Sequence, residues 1–344
     1  MHVSLIVPAP FVTVSGGYAY DRRIVAGLRA LGHHVDVVEL AGAFPLVDDI
    51  ARDAACAAWD RLPPGTRPVI DGLALPAFAG LDDALIARDA FALIHHPTAL
   101  ETGLGDAERD TLHAAEQRLF ARMARLIVTS ETTAEALGKD FAVDPTRIHV
   151  VTPGTDDAPR APGSGGPTCR VLSVGTLVPR KGHDLLLRSV ARLFDLDWHL
   201  TIVGSPERDR VCAHGLSALA ESLGITQRVS FAGELTDAAL EAKWQRTDLF
   251  ALGTYFEGYG MAVAEALKRG IPVAVTAGGA AGALVDIDAG VVCAVGDQDQ
   301  FSKSLRRLIF SAELRVEMAE GALLAGRNLP SWDTQAALFA SVIA

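Results

Sequence analysis

A glycine-rich segment in the second half of the chain, residues 256–267, combines the residue types that hold a phosphorylated ligand. It follows an apolar run and opens a helical pattern, and Gly258 and Gly260 flank one aromatic residue, so backbone amides can approach a ligand without a Cβ in the way. The helix start adds N–H donors and the positive end of a dipole, which suits a diphosphate. Glu257 in the loop and Glu265 in the helix could each accept hydrogen bonds from neighbouring hydroxyls of a sugar or ribose. The pattern alone is equally compatible with a turn that carries two solvated glutamates, although a charge within an apolar run needs a partner.

A second segment, residues 174–187, places two adjacent cations directly after a predicted strand. Arg180 and Lys181 could neutralise the charge that develops on a leaving diphosphate. Two exposed surface cations beside a helix are the simpler alternative. Their place at the carboxyl end of a parallel strand favours a ligand, because open α/β sheets bind ligands at that edge.

Short apolar runs alternate with helical patterns along the chain, which predicts parallel strands joined by helices. In the first half the predicted strands are 2–8, 35–38, 68–70, 91–94, 125–128 and 149–151, and the clearest helices are 20–31 and 106–124. In the second half the predicted strands are 170–174, 199–203, 229–232, 249–252, 273–275 and 290–295, with helices at 182–194, 213–223, 236–245, 261–269 and 298–310. This alternation predicts an α/β protein with two doubly wound halves.

The length of 344 residues favours two domains, since one hydrophobic core usually stops growing below that size. A stretch rich in Pro, Gly and Ser lies near the middle of the chain and is the best linker candidate. We therefore expect an amino-terminal domain at 1–158, a linker at 159–168 and a carboxyl-terminal domain at 169–329. Residues 330–344 form a separate helical tail after Pro330.

Composition excludes several classes of protein. The formal net charge is −11, which argues against nucleic-acid binding and against broad electrostatic docking on anionic lipid. The four cysteines are scattered without a CxxC pair, which is not typical of a zinc framework or a disulfide scaffold. We identify no signal peptide and no apolar run of about 18 residues, so no transmembrane segment is expected. These features predict a cytoplasmic protein and leave open a peripheral association with the inner membrane face.

Three Asp-x-Asp triplets could suggest a metal–diphosphate site, and they lie at 195–197, 286–288 and 297–299. None follows a long buried strand in an amino-terminal nucleotide domain, and all fall near predicted turns. We interpret them as solvated turn acids, so no metal is expected.

Together these segments resemble the retaining GT-B glycosyltransferases, especially family 4. The Glu-x7-Glu spacing of 257–265 and the Lys-Gly segment after the strand are similar to the two signatures of that family. Gly16-Gly17 and residues 128–137, 150–157 and 331–339 also match its pattern, and the match is weakest at 42–90. The resemblance implies two Rossmann-like domains facing across a cleft, with the tail helix crossing back to the first domain. It implies no bound cofactor, because the nucleotide sugar is a co-substrate.

The resemblance also implies roles for individual residues. Lys181 would contact the donor phosphates, Glu265 the ribose hydroxyls and Glu257 the transferred sugar. One histidine of His95-His96 resembles a histidine beside the donor sugar, and we favour His96. The catalytic set is then His96, Lys181 and Glu257. The remaining donor-binding residues are Gly16, Gly17, Arg180, Gly258, Tyr259, Gly260 and Met261.

Two positions depart from the family's pattern. Thr176 stands where the family usually has arginine, so either Arg180 supplies the missing charge or the phosphates are held less tightly. Gly282 stands where the family usually has a glutamate, which leaves recognition of the base and ribose open there.

The expected reaction is transfer of a hexose-type sugar from a UDP- or GDP-linked donor to an acceptor hydroxyl, with retention and without a metal. The acceptor would be a small molecule, a glycan or a lipid-linked compound. A nucleotide-sugar hydrolase or epimerase on the same fold, or a catalytically silent nucleotide-sugar-binding protein, are the alternatives.

Overall fold

The computed structural model describes residues 1–101 and 103–344 and divides them between two units. The first unit comprises Met1–Gly154 and Trp332–Ala344, and the second comprises Thr155–Ser331. Each contains one six-stranded parallel sheet, so the predicted α/β class with two Rossmann-like halves is confirmed.

The sheet of the first unit has the order β2-β1-β3-β4-β5-β6. Its strands are β1 (His2–Pro8), β2 (His34–Leu40), β3 (Arg67–Asp71), β4 (Phe91–Ile94), β5 (Arg125–Val128) and β6 (Ile148–Val150). Its helices before the tail are α1 (Gly16–Ala30), α2 (Asp49–Asp60), α3 (Asp82–Ala87), α4 (Asp106–Phe120) and α5 (Glu131–Asp140). The central strands are continuous apolar runs because a parallel sheet is covered by helices on both faces.

Helix α1 begins at Gly16, earlier than the apolar pattern predicted. Ser15 adopts an extended conformation before it and its side chain accepts a hydrogen bond from the amide of Tyr18. This cap compensates for the poor helix propensity of two successive glycines. As a result Gly16 and Gly17 lie in the first turn, at the carboxyl edge of the sheet.

The sheet of the second unit has the order β12-β11-β10-β7-β8-β9. Its strands are β7 (Cys169–Val174), β8 (Trp198–Val203), β9 (Val229–Phe231), β10 (Leu249–Leu252), β11 (Val273–Thr276) and β12 (Gly290–Cys293). Its helices are α6 (His183–Ala191), α7 (Arg210–Ser222), α8 (Asp237–Trp244), α9 (Met261–Lys268), α10 (Gln298–Phe310) and α11 (Ala312–Arg327). Strand order reverses between β7 and β10, and ligands of open α/β sheets bind at such a switch point.

The segment predicted as a linker, residues 159–168, belongs to the second unit instead. It contains no helix or strand, but the amide of Ala161 donates to the carbonyl of Arg269 at 2.9 Å. The amide of Ser164 donates to Asp248 Oδ1 at 2.8 Å. The chain passes between the units at residues 154 and 155 rather than after 158, because these hydrogen bonds fix the Pro- and Gly-rich stretch to the second unit.

The tail forms helix α12 (Trp332–Ile343), which is part of the first unit and packs on α1. Phe339, Val342 and Ile343 join the core of that unit, and the side-chain amide of Gln335 donates to the carbonyl of Thr152 at 2.6 Å. Leu338 on the same helix is 41% exposed. The helix therefore docks through one face and leaves Leu338 at the surface.

The contact between α1 and α12 gives a stability prediction at Gly27. A Cβ at Gly27 would overlap the Cβ of Ala336, whereas a Cβ at Gly215 in α7 would meet nothing within 4 Å. We expect Gly27→Ala to lower the free energy of unfolding by about 1–3 kcal/mol, through overpacking. Gly215→Ala should raise it by about 0.5–1 kcal/mol, because alanine is the better helix former. Urea unfolding of the two variants checks this, and an equal gain in both would contradict the close packing.

Candidate functional site

The loops after β7 and β10 bring the predicted cations and Glu257 together, because these two strands are neighbours in the sheet. The ammonium of Lys181 donates to Glu257 Oε1, and the guanidinium of Arg180 lies 3.7 Å from the same oxygen. Arg180 also donates to the carbonyl of Phe256 at 2.8 Å. The three charged side chains are between 9% and 16% exposed, so the cluster is largely shielded from solvent. Preorganised cations at such a site can stabilise a leaving diphosphate.

Helix α9 begins next to this cluster. Its N-cap is Gly260 in the left-handed region at φ 107°, a residue without a side chain that could cap the first turn. The first amides of a helix have no acceptor one turn earlier, so they can bind an anion. Glu265 lies on the same helix and is half-buried. In the loop before the helix, burial raises the pKa of Tyr259 to about 12.

The next loop packs against the segment that carries Glu257. The amide of Glu257 donates to the carbonyl of Gly278 at 3.0 Å, and a Cβ at Gly279 would overlap the carbonyl of Glu257. A Cβ at Gly282 would lie 3.0 Å from Val292 Cγ1 and 3.2 Å from Ala277 Cα. The position where the family usually has a glutamate is therefore closely packed, which accounts for the small residue there.

Lys181 packs against Gly175, the residue that follows β7. Its aliphatic chain lies across Gly175, where a Cβ would come within 3.1 Å of Lys181 Cδ. His183, the first residue of α6, is 1% exposed, and its Nε2 lies 3.1 Å from the carbonyl of Gly175. Because a carbonyl can only accept, the imidazole donates from Nε2. His183 thus links the start of α6 to the loop that carries Lys181, although the sequence did not single it out.

Burial lowers the pKa of His183 to about 4. The unfolded chain takes up this proton near the ordinary value of 6.5, and the folded protein does so only near 4. Stability from this group is therefore complete above pH 6.5 and is lost as the pH falls toward 4. We expect about 2 kcal/mol of stability to be lost between pH 7 and pH 5 through His183. Urea unfolding of the wild type and of His183→Gln at both pH values checks this, and an equal pH dependence in the two proteins would contradict it.

A second charged cluster lies at the switch point of the sheet in the first unit, between β1 and β3. His95 Nε2 lies 3.0 Å from Asp21 Oδ1 and 3.4 Å from Asp71 Oδ2. The side chain of Asp21 is 1% exposed and that of His95 is 19% exposed. A Cβ at Gly17 would lie 3.2 Å from His95 Cδ2, so the glycine allows the helix start to contact the imidazole.

The charges of Asp21 and His95 depend on each other. Burial raises the pKa of Asp21 above its ordinary value, although His95 opposes the shift. Burial alone would lower the pKa of His95, but the charge and hydrogen bonds of Asp21, followed by those of Asp71, raise it above its ordinary value. This environment favours the imidazolium form of His95, which suits a hydrogen-bond donor better than a base.

His96, the favoured histidine of the sequence, has a different environment. Its Nε2 lies 3.0 Å from Glu101 Oε2, and its side chain is 21% exposed. The structure places His95 against Gly17, and the role beside the donor sugar that was assigned to His96 stays a prediction. Asp21 and Asp71 were not identified from the sequence. The available signal was an acid on the buried face of α1 and another at the end of an apolar strand, where each charge needs a partner.

Three of the six Asp-x-Asp acids pair with an arginine or cap a helix. Asp195 pairs with Arg306, Asp299 pairs with Arg192, and the side chain of Asp297 caps α10. These contacts agree with the interpretation of these three acids as residues of turns and helix starts.

Comparison with known protein families finds a match to the second unit. The family model described as "Glycosyl transferases group 1" matches residues 156–324. Those residues belong to the glycosyl transferases group 1 family. This confirms the resemblance to the glycosyltransferases, whereas family 4 and retention stay predictions.

Curated relatives of this chain carry the name D-inositol 3-phosphate glycosyltransferase. The protein from Salinispora tropica is 34% identical over 243 residues, which are 63% of this chain and 50% of that protein. The protein from Rhodococcus erythropolis is 31% identical over 273 residues, which are 72% of this chain and 62% of that protein. The chain thus spans about half to three fifths of the length of the curated relatives it matches.

Solved structures share the fold over nearly the whole chain. Sucrose-phosphate synthase from Thermosynechococcus elongatus has a TM-score of 0.84 at 18% identity, with 98% of this chain and 97% of that chain covered. WaaG, a glycosyltransferase involved in lipopolysaccharide biosynthesis, has a TM-score of 0.76 at 20% identity, with 99% of each chain covered. Anabaena Alr3699/HepE in complex with UDP-glucose has a TM-score of 0.75 at 16% identity, also with 99% of each covered. At these identities the likeness shows the GT-B fold alone.

Across the described residues, 1–101 and 103–344, no helix is both long enough and apolar enough to cross a membrane.

Proposed function

We propose that this chain is a retaining glycosyltransferase that moves a sugar from a UDP- or GDP-linked donor to an acceptor hydroxyl. The observation that carries the proposal is the convergence of Arg180 and Lys181 on Glu257 beside the start of α9. This convergence occurs at the switch point of a group 1 domain, where a dinucleotide-type ligand binds in open α/β sheets.

The two cations and the helix end would hold the donor diphosphate. Glu257 balances both cations, and a diphosphate that approaches them would accept the hydrogen bonds of Lys181 and Arg180 as its charge develops. Glu257 would then accept from the hydroxyls of the sugar. Glu265, further along α9, would accept from the two ribose hydroxyls.

No metal and no bound cofactor enter this proposal. Two cations and the amides of residues 258–261 would meet the charge of the diphosphate, a task that other enzymes assign to a divalent ion. Activity should therefore survive excess EDTA.

The protein would not need a general base either. In a front-face mechanism the bond between the anomeric carbon and the leaving phosphate oxygen breaks, and that oxygen takes the proton of the acceptor hydroxyl. The acceptor oxygen then bonds to the same face of the carbon, which retains its configuration. The imidazolium state of His95 agrees with this scheme, because it suits a hydrogen-bond donor rather than a base.

The names of the relatives guide the choice of substrates. The curated relatives carry the name D-inositol 3-phosphate glycosyltransferase, and one structural neighbour was solved in complex with UDP-glucose. A first screen should combine UDP- and GDP-linked hexoses with acceptors that include inositol 3-phosphate, simple glycans and lipid-linked alcohols.

The test is an assay of product formation with EDTA present, followed by determination of the anomeric configuration by NMR. The proposal expects acceptor-dependent transfer and the same anomeric configuration in donor and product. Sugar release that does not depend on any acceptor would instead show a hydrolase. Tight nucleotide binding without turnover across the acceptors would show a silent binding protein, and loss of activity in EDTA with rescue by magnesium would overturn the metal-free proposal.

A further inference from the structure

Two histidines and an aspartate meet on one face of the sheet in the first unit, at its amino-terminal edge. β1 and β2 are parallel neighbours whose register pairs His2 with His34 and Ser4 with Asp36. Because side chains alternate along a strand, His34 and Asp36 point to the same side of β2. The cross-strand pairing places His2 on that side as well, in contact with both.

The ligand atoms of this group lie close together. His2 Nε2 is 2.6 Å from Asp36 Oδ2, and His34 Nε2 is 3.3 Å from Asp36 Oδ1. The two imidazole rings meet edge to face with centroids 4.5 Å apart. One ligand atom from each of the three residues lies within 4.8 Å of the other two.

A neighbouring hydroxyl fixes the orientation of the first histidine. Thr66 is 6% exposed, and its Oγ1 lies 3.2 Å from His2 Nδ1. This contact turns Nε2 toward Asp36. A partner on the second ring nitrogen is what orients metal-binding histidines in general, because it selects the tautomer and holds the ring.

We propose that His2, His34 and Asp36 form a binding site for a divalent transition-metal ion, with zinc as the preferred ion. Two imidazoles and one carboxylate are a ligand set typical of zinc, with water in the fourth position. Neighbouring ligand atoms in a tetrahedral zinc site lie roughly 3.3 Å apart. His34 Nε2 already has that separation from Asp36 Oδ1, whereas His2 Nε2 lies 2.6 Å from the other oxygen, Oδ2. One ligand atom from each residue lies within 4.8 Å of the other two, so an ion needs to draw them together by at most about 1.5 Å.

This site is independent of the proposed sugar transfer. It lies at the first residues of β1 and β2, whereas Gly17, Asp71 and His95 follow the opposite, carboxyl edge of the same sheet. A bound ion would join β1 to β2 at the edge of the sheet. It should therefore stabilise the folded first unit without being required for turnover.

The test uses untagged protein that has been treated with EDTA and transferred to metal-free buffer. Zinc is titrated by calorimetry against wild type, His34→Ala and Asp36→Asn. His33→Ala is the matched control, because His33 is the adjacent histidine and lies outside the group. His34 is the most exposed member at 70%, so its replacement should leave the fold intact.

We expect one zinc ion per chain in the wild type and in His33→Ala, and at least tenfold weaker binding in His34→Ala and Asp36→Asn. Zinc should also raise the melting temperature of the wild type but not of His34→Ala. Equal affinity in all four proteins would overturn the proposal. Asp21, Asp71 and His95 form another group of possible ligands. If Asp71→Asn abolished zinc binding while His34→Ala retained it, the proposal would be overturned as well.

Discussion

Replacement of Lys181 by alanine should lower the turnover number about a hundredfold, equivalent to about 3 kcal/mol of transition-state stabilisation. The ammonium of Lys181 donates a hydrogen bond to Glu257, so the protein itself holds the charge in position. Its effect should appear mainly in kcat, because the charge of the diphosphate grows as the sugar leaves. Steady-state kinetics checks this, with Lys303→Ala, an exposed lysine on α10, as the control that should retain full activity.

Replacement of Arg180 tests whether this side chain contacts the diphosphate. If Arg180 compensates for the arginine that is missing at position 176, Arg180→Ala should lose activity, although less than Lys181→Ala does. Thr176→Arg in that background should then restore part of it. Arg180 also donates to the carbonyl of Phe256, so melting temperatures must be compared in parallel. A silent Arg180→Ala would show that Lys181 and the helix end suffice.

The second large effect is expected at Asp21. Asp21→Asn should lower the free energy of unfolding of the protein by about 3 kcal/mol, because it removes one partner of a buried ion pair and leaves the imidazolium of His95 with Asp71 alone. Asp49→Asn is the matched control in the same unit. Asp49 is 97% exposed and pairs with Arg52, so its replacement should cost less than about 0.5 kcal/mol. Urea unfolding measures both, and equal values would contradict a buried ion pair.

The pKa of His95 gives an independent check on the same cluster. NMR titration of the imidazole should find it charged through neutral pH in the wild type. The pKa should fall in Asp21→Asn, because the carboxylate that raises it most is lost while burial, which lowers it, remains. An imidazole that titrates near its ordinary value of 6.5 in the wild type would contradict the cluster.

Much of the fold could be predicted from the sequence because both sheets are parallel. Their strands are apolar runs bounded by Gly, Pro and polar turns, and these were identified within a few residues of their observed limits. Lys181 and Glu257, which the sequence analysis took from two separate segments, meet in the structure, whereas their roles and that of Glu265 toward a sugar donor stay predictions.

Helix α11 shows why other elements were missed. It contains Gly321 and Gly326, which a sequence pattern interprets as breakers. In the structure a Cβ at Gly321 would overlap the carbonyl of Asp288, and one at Gly326 would overlap that of Leu267. The glycines allow α11 to pack closely on its neighbours, and that requirement is visible only in three dimensions.

The cluster around His95 was missed for a related reason. Asp21, Asp71 and His95 are far apart in the chain and come from α1, β3 and the loop after β4. Nothing in a local window connects them. Only the strand order, which makes β3 the neighbour of both β1 and β4, brings the two carboxylates to one imidazole.

The measurement that tests the central claim most directly is calorimetry with UDP, GDP and the two free nucleosides. It should be applied to wild type, Glu265→Ala and Lys181→Ala. We expect one of the two nucleoside diphosphates to bind the wild type tightly. Glu265→Ala should lower the affinity for that diphosphate and for its nucleoside roughly tenfold to a hundredfold, because a charged hydrogen bond to the ribose is lost. Lys181→Ala should lower the affinity for the diphosphate and leave the affinity for the nucleoside unchanged. Failure of UDP and GDP to bind, or unchanged affinity for both in Glu265→Ala, would contradict the assignment of this site to a nucleotide-sugar donor.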